Sequence, residues 1–304
     1  MSPLSSYTVG EVLNDHLVAV RVTIKPSTAS VYQRYIVNHI APYFGKTPCD
    51  ELTSEMLQRF IRGLVENGLS AVTVQSIFSL LRAGLRSVVK ETVLDVKLPR
   101  YTKQEMSFLS SSEQQKLEET AKTMGGQDYL TVVLCVYTGI RVGELCGLMW
   151  RDIDFERRLM HIRRTMQRIR SDTEENRTAI AFMSPKSATS VRAIPLSEFL
   201  ISILRKHKSG ADSEYVLSRS GKPIEPRSIQ NRFKNILTAA NVKEMNFHAT
   251  RHTFAVRALE KGFDVKSLSE ILGHASATVT LSSYAHALDD HKRRLMEKLT
   301  VLCQ

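Results

Sequence analysis

The amino-acid sequence predicts a mainly α-helical protein that contains a small antiparallel β-sheet. Two observations support this fold class. Apolar residues recur at intervals of three and four along most of the chain, which is the period of an amphipathic helix. Only residues 159–196 change to short runs that are typical of strands. A chain of 304 residues is long enough for two domains, so we predict a helical domain followed by an α+β domain.

The first domain is predicted to cover residues 1–93 and to contain four helices. Ser27 and Thr53 are candidate capping residues for the second and third helices, and Pro42 is expected to stop the second. Each helix carries an apolar stripe, and four short helices of this kind pack as a small bundle. The four helices are expected near residues 8–23, 27–42, 53–68 and 70–89.

A linker is predicted at residues 94–109, where Pro99 and mixed charges break the helical pattern. The second domain then covers residues 110–304. Capping residues beginning at Ser110 start a helical region that becomes increasingly apolar towards Trp150. Strands are expected at residues 159–162, 178–183 and 191–196, a polar hairpin at residues 163–177, and helices at residues 196–207, 227–240, 247–261, 265–272, 278–284 and 289–302.

The composition favours a polyanionic partner. The chain carries 42 Lys and Arg against 31 Asp and Glu, a net charge of +11. Residues 108–304 hold 30 of the basic and 22 of the acidic side chains, so most of the excess lies in the second domain. Simple solubility is the alternative explanation for this charge.

The four cysteines show no metal-binding spacing, and no signal peptide or apolar run of transmembrane length is present. We therefore expect a cytoplasmic protein with no membrane partner. If its polyanion is DNA, the protein is expected to be associated with the nucleoid.

Several chemically reactive side chains cluster in the second half of the chain. His248 and Arg251 are three residues apart, so they share one face of a helix. A Leu-Gly-His unit ends at His274, and Tyr284 follows in a short polar run that does not look like a core position for an aromatic ring. Upstream, Arg141 lies between two glycines. Arginines and histidines around a tyrosine suit the attack of a phenol on a phosphodiester.

These motifs resemble those of the tyrosine recombinases, also called the phage integrase family. The resemblance runs along most of the chain and is most specific in its second half. It implies a helical core-binding domain that contacts DNA, followed by the family's catalytic domain. The family's ordered catalytic set matches Arg141, Lys186, His248, Arg251, His274 and Tyr284, with Glu144 as a supporting acidic residue.

The resemblance implies a role for each matching residue. Tyr284 would be the nucleophile that forms a phosphotyrosyl bond. Arg141 and Arg251 would bind the non-bridging phosphate oxygens, and Lys186 would protonate the leaving 5′ oxygen. The two histidines would donate hydrogen bonds to the phosphate or help to move the tyrosine proton. No metal or other cofactor is expected.

Structural roles are the alternative for each of these residues taken singly. Either arginine could form a surface ion pair, Lys186 could be a solvated turn residue, and the histidines could be a zinc pair, although a third ligand is lacking. His252 is expected to point to another face of its helix and His286 to be a bystander. Four hairpin arginines are candidates for contacts with the DNA backbone, with a merely solvated hairpin as the alternative: Arg163, Arg164, Arg168 and Arg170.

The expected function is site-specific recombination between double-stranded DNA sites. It would proceed through a 3′-phosphotyrosyl intermediate and a Holliday junction in a homotetramer. The hairpin and the residues before Tyr284 resemble integrases of mobile elements, which can use an accessory directionality factor. The chain starts directly with the core-binding helices, so a Xer-type resolvase or an invertase stays open. A type IB topoisomerase and an inert DNA-binding regulator are the alternatives from other classes.

Overall fold

A computed structural model describes residues 7–101, 106–170, 178–183, 191–274, 276–284 and 296, and every structural statement below concerns these residues. The chain divides into two compact units. The first unit comprises residues 1–104 with residues 169–179, and the second comprises residues 105–168 and 180–304. The predicted fold class is confirmed. The predicted domain boundaries at residues 93 and 110 stay a prediction.

Residues 7–101 of the first unit form five α-helices and one π-helical turn. Side chains of Thr8, Thr53 and Ser70 cap three of the helices by accepting a backbone N–H, which satisfies donors that a helix start leaves unpaired. The helices are α1 (Val9–Val20), α2 (Pro26–Tyr35), α3 (Ala41–Phe44), α4 (Ser54–Glu66) and α5 (Ala71–Leu85), and the π-helical turn is Ile36–Ile40.

Two expectations for the second helix were wrong. Lys25, and not Ser27, is the N-cap of α2, because Pro26 occupies the first turn, where its missing N–H costs nothing. The chain also stays helical at Pro42. The π-helical turn ends just before it, so Pro42 falls in the first turn of α3, a position that tolerates proline.

The start of the predicted linker packs on the first unit. Leu94 is buried with the apolar side chains of α1, α4 and α5. The Gln58 side chain donates to the carbonyl of Lys97 at 3.0 Å and accepts its N–H at 2.9 Å. Residues 94–98 therefore lie against this unit, because their backbone polar groups and apolar side chains both find partners there.

The second unit is built mainly from helices, whose apolar side chains form a large core and a smaller separate cluster that includes Leu259 and Tyr284. Its central helix, α7, is buried along most of its length, and Ser110 caps the preceding α6 through a reciprocal pair with Glu113. The helices are α6 (Ser111–Met124), α7 (Gly126–Thr138), α8 (Val142–Cys146), α9 (Glu198–Lys208), α10 (Pro226–Ala239), α11 (Ala249–Glu260), α12 (Val265–Leu272) and α13 (Ala277–Ser283), with a 3-10 turn at Trp150–Asp152.

The described residues form seven short strands in three small sheets, and the β1–β2, β2–β5 and β6–β7 pairs are antiparallel. The strands are β1 (Ile153–Asp154), β2 (Leu159–Ile162), β3 (Thr165–Arg170), β4 (Thr178–Met183), β5 (Arg192–Pro195), β6 (Ser218–Arg219) and β7 (Lys222–Pro223). Their orders are β1–β2–β5, β3–β4 and β6–β7, with Met160 opposite Ile194 in the first. β4 and β5, the strands before and after Lys186, therefore lie in different sheets. The prediction of two strands joined by a simple turn at Lys186 was wrong in this respect. Lys186 itself lies outside the described residues.

The predicted C-terminal helix at residues 289–302 lies outside the described residues except for Met296, which is helical. Within the described part of the chain, every helix is too short or too polar to cross a bilayer.

Candidate functional site

The site is built around the junction of α7 and α8 and the end of α12. Gly139 ends α7 with a φ of +62°, a left-handed conformation that glycine adopts without strain. A Cβ there would lie 2.6 Å from a ring carbon of Phe254. The tight turn places Arg141 at the N-cap of α8, where its backbone N–H donates to the Glu144 carboxylate at 3.0 Å.

The Glu144 carboxylate forms ion pairs with two arginines, Arg141 and Arg192. Its side chain is 3% exposed and accepts from Arg141 Nη1 at 2.7 Å and from Arg192 Nη2 at 2.9 Å. Burial opposes ionisation of Glu144, but the hydrogen bond and charge of Arg192, with Arg141, outweigh it and hold its pKa below the ordinary value. Glu144 therefore stays a carboxylate and both orients Arg141 and braces α8.

Three consecutive backbone carbonyls at the end of α12 accept hydrogen bonds from three arginines. Arg192 Nε donates to Ile271 at 2.6 Å, Arg251 Nη2 to Leu272 at 2.7 Å, and Arg141 Nη2 to Gly273 at 3.1 Å. The last carbonyls of a helix lack intrahelical partners and carry the negative end of its dipole, so they favour cations. We call Ile271, Leu272 and Gly273 the carbonyl row; it explains why a Leu-Gly-His unit belongs to this site.

Arg251 is the most deeply buried of these cations. It is 2% exposed, and its Nη1 also donates to the carbonyl of Gly139 at 2.7 Å. Burial, together with the nearby charge of Arg141, lowers its pKa to about 9. The guanidinium is still protonated at neutral pH, and it is held rigidly by carbonyls from two separate segments.

Arg141 and Arg251 open onto a common pocket of about 700 Å³, which His248 also lines. Its wall is completed by residues of α8, β3 and α10. Two fixed guanidiniums in one cavity are the kind of planar N–H donors that suit phosphate oxygens. In this structure the pocket brings together the two arginines and the first histidine of the predicted set.

The histidines near this pocket are held in their neutral forms. Burial and the charges of Arg251 and Arg141 lower the pKa of His248, and the same influences bring that of His274 to about 4. His274 Nδ1 lies 2.7 Å from Thr280 Oγ1 in α13. A neutral imidazole donates a hydrogen bond from one ring nitrogen and accepts one at the other, and the tautomer decides which nitrogen does which. Among the described residues, no group of three His, Cys, Asp or Glu is placed to hold a metal ion.

Tyr284 is a core residue, contrary to expectation. Its side chain packs with Leu259, Leu268 and Leu272 and is only 5% exposed. The phenol oxygen lies 2.9 Å from Nδ1 of His252. Burial raises the pKa of Tyr284 to about 12, and Arg251 offsets only part of this shift. Because α13 packs on α12, the polar run before Tyr284 ends with this ring turned inwards against α11.

His252 is the residue that the sequence interpretation missed. It was expected on another face of α11, yet it contacts Tyr284 and also packs edge-on against His248, with ring centres 4.7 Å apart. Burial and the charges of His248 and Arg251 lower its pKa to about 4. The available signal was spacing, since residues 248 and 252 are one helical turn apart. His286 lies outside the described residues.

The hairpin arginines have different surroundings. Arg164 is engaged inside the protein, where Nη1 donates to the buried carboxylate of Asp152 at 2.5 Å, so its proposed contact with the DNA backbone is not supported. Arg168 forms a two-point pair with Glu225 and lines the pocket. Arg163 is about half exposed, at 53%. The Arg170 side chain lies outside the described residues.

Comparisons with known proteins find relatives along most of the chain. A profile described as "Phage integrase family" matches residues 107–291, and one described as "Phage integrase, N-terminal SAM-like domain" matches residues 8–65. A protein named tyrosine recombinase XerC-like, from Caldanaerobacter subterraneus subsp. tengcongensis, is 27% identical over 328 residues, which covers 97% of this chain and 83% of the relative.

Two solved structures share the fold. The Tn1549 transposon integrase in complex with transposon right-end DNA superposes with a TM-score of 0.82 at 23% identity, covering 97% of this chain and 100% of that one. A lambda integrase tetramer bound to a Holliday junction gives a TM-score of 0.69 at 20% identity, covering 91% and 82%. Because the first family profile covers more than half of the 304 residues, the chain belongs to the phage integrase family, the tyrosine recombinases.

Proposed function

We propose that this tyrosine recombinase cuts and rejoins DNA at specific sites, with Tyr284 as its nucleophile. The observation that carries the proposal is the pocket formed by Arg141 and Arg251. Both guanidiniums are fastened to the carbonyl row, and Arg141 is also fastened to Glu144. Donors fixed in advance stabilise the negative charge that grows on a phosphate during attack, because they need no reorganisation at that moment.

The reaction exchanges one phosphoester bond for another. The phenol oxygen of Tyr284 bonds to the scissile phosphorus, and the bond from phosphorus to the 5′ oxygen breaks. The phenol proton passes to neutral His248, and Lys186 protonates the leaving 5′ oxygen. The product is a 3′-phosphotyrosyl bond with a free 5′-hydroxyl, and attack by a second 5′-hydroxyl reverses the sequence. Covalent storage of the bond allows rejoining without an external energy source.

The proposed substrates are pairs of double-stranded DNA sites, bound by a homotetramer that resolves a Holliday junction. The net charge of +11 supports a DNA partner, and the shared fold with the lambda integrase tetramer supports the assembly. We further propose that the sites are the ends of a mobile element, that an accessory directionality factor sets the direction, and that the protein acts at the nucleoid. The fold shared with a transposon integrase supports the element.

The test is covalent capture on a suicide substrate. DNA fragments from the flanks of the gene are first selected for binding, and the bound site is then nicked beside the scissile phosphate. The wild type is expected to give a protein–DNA band on a denaturing gel. Tyr284→Phe should bind equally well and give no such band, because it lacks only the attacking oxygen. Tyr215→Phe, in the same unit, is the matched control and should behave as the wild type.

Three outcomes would contradict the proposal or part of it. A covalent band from Tyr284→Phe would move the nucleophile elsewhere. Relaxation of supercoiled DNA without exchange between two labelled sites would identify a topoisomerase. If exchange occurs only between directly repeated chromosomal sites, and not between element ends, a Xer-type resolvase replaces the integrase.

A further inference from the structure

Tyr284 is held away from the phosphate pocket in this structure. Its ring is buried among apolar side chains of α11 and α12, whereas Arg141, Arg251 and His248 line the pocket. The phenol oxygen instead contacts His252 Nδ1 at 2.9 Å. An attacking oxygen must reach the phosphorus, so a tyrosine buried on His252 is stored and has to be released before it reacts.

Besides the packing of α13 on α12, two polar contacts bear on the position of Tyr284, which directly follows α13. His274 Nδ1 lies 2.7 Å from Thr280 Oγ1, and the N–H of Tyr284 donates to the Thr280 carbonyl at 3.0 Å. The contact between Tyr284 and His252 is the second of the two. The contact of Thr280 with His274 holds the middle of the seven-residue α13, so loss of the contact with His252 would leave the Tyr284 ring held by apolar packing alone.

His252 also has a route to the pocket. Its ring packs edge-on against His248, with ring centres 4.7 Å apart and planes 87° from parallel. His248 lines the phosphate pocket, and His252 contacts the phenol of Tyr284. The contact between the two histidine rings therefore connects the pocket to the tyrosine. A phosphate that draws His248 towards itself would change the packing of His252.

We propose that His252 is a latch that stores Tyr284 outside the phosphate pocket until a phosphate engages His248. This inference rests on the proposed role of Tyr284 as nucleophile, and it adds that His252 controls when Tyr284 can reach the phosphate. His252 is a positioning residue in this account, because it acts through the tyrosine and does not touch the phosphate.

The local charges favour a latch over a proton acceptor. His252 faces His248, Arg251 and Tyr284. Burial, together with His248 and Arg251, lowers the pKa of His252 to about 4. A group that binds a proton so weakly is a poor base for a phenol whose own pKa is about 12. A neutral ring with its proton on Nε2 nevertheless presents Nδ1 as an acceptor for the phenolic O–H.

The first experiment observes the tyrosine directly. The protein is labelled with 3-fluorotyrosine, and the ¹⁹F resonance of residue 284 is assigned by its loss in Tyr284→Phe. His252→Phe keeps a ring but removes the acceptor, so it should move this resonance to the position of a released tyrosine. His252→Asn keeps an acceptor near Nδ1 and should restore the stored position. Inorganic phosphate should move the wild-type resonance towards that of His252→Phe, whereas chloride at equal ionic strength should not.

The second experiment measures the first-turnover rate of covalent complex formation on the suicide substrate. His252→Phe should form the complex about tenfold faster, the factor that corresponds to one hydrogen bond of about 1.4 kcal/mol. His252→Asn should match the wild type. Thr253→Val is the matched control: it removes a buried hydroxyl of α11 that accepts the Leu109 N–H but does not contact the tyrosine, and its rate should be unchanged.

Three results would overturn the latch. One is an unchanged resonance and rate in His252→Phe. Another is a fall in its rate, which would make His252 part of the proton transfer. The third is a resonance that phosphate does not move. Failure of the proposed function is distinguishable, because the wild type itself would then form no covalent complex, whatever the behaviour of the His252 variants.

Discussion

Replacing Glu144 with glutamine is expected to destabilise the second unit strongly. The carboxylate is 3% exposed and faces two guanidiniums, one of which, Arg192, is itself 6% exposed. Glutamine has nearly the same shape but carries no charge, and its NH₂ group would face arginine donors. The variant therefore removes the negative charge that both guanidiniums face, and removing one member of a buried ion pair is more costly than replacing both.

The magnitude follows from the cost of breaking a buried ion pair, about 3 kcal/mol or more. With a urea dependence of about 2 kcal/mol/M, this lowers the unfolding midpoint by about 1.5 M. Trp150 is the only tryptophan and is buried in the core of the second unit, so its fluorescence reports the unfolding of that unit in the full-length protein. Glu198→Gln is the matched control, because its pair with Arg158 is 69% and 54% exposed and should contribute less than about 1 kcal/mol.

The difference between wild type and Glu144→Gln should also depend on pH. The pKa of Glu144 is lower in the folded protein than in the unfolded chain, so its contribution to stability is complete above the unfolded value of about 4.3. That contribution is lost as the pH falls through the folded pKa. The gap in unfolding free energy should be constant between about pH 6 and 8 and should narrow below about pH 4. A loss at neutral pH no larger than that of Glu198→Gln would refute this account of Glu144.

The other predictions concern the chemistry and the assembly. Lys186→Ala should slow cleavage by about 10²-fold or more, and a substrate with sulfur as the 5′ leaving atom should restore the rate, because sulfur leaves without a proton; no restoration would argue against Lys186 as the acid. Cleavage should continue in excess EDTA, since Arg141, Arg251 and Lys186 supply the positive charge; its loss with DNA binding intact would contradict this mechanism. Deletion of the residues after His291 should leave binding to a single site nearly intact and prevent assembly on paired sites, because the apolar stripe of the predicted helix at residues 289–302 is expected to dock on a neighbouring protomer. A truncated protein whose DNA complexes still have the size of a tetramer would exclude that docking.

Most of the fold could be predicted because its determinants are local. Apolar periodicity and capping groups predicted the helices around Thr53 and Ser110 within a few residues, since both act within one or two helical turns. The helix through Pro42 was mispredicted, because a π-helical turn moved the proline to a position that tolerates it. The pairing of β5 with β2, and not with β4, joins strands that β3 and β4 separate in the sequence, and local patterns do not reveal such a partner.

For the site, the sequence by itself determined the kinds of chemical group and their order along the chain, because motif spacing preserves both. It could not show that the carbonyls at residues 271–273 would receive three arginines. Those contacts join residues up to 132 positions apart. Every residue has a backbone carbonyl, so the sequence does not indicate which carbonyls will accept a hydrogen bond from an arginine. The burial of Tyr284 on His252 likewise arises only when α13 packs on α12. Whether a polar run faces water or the core depends on what packs against it, and that is a property of the folded chain.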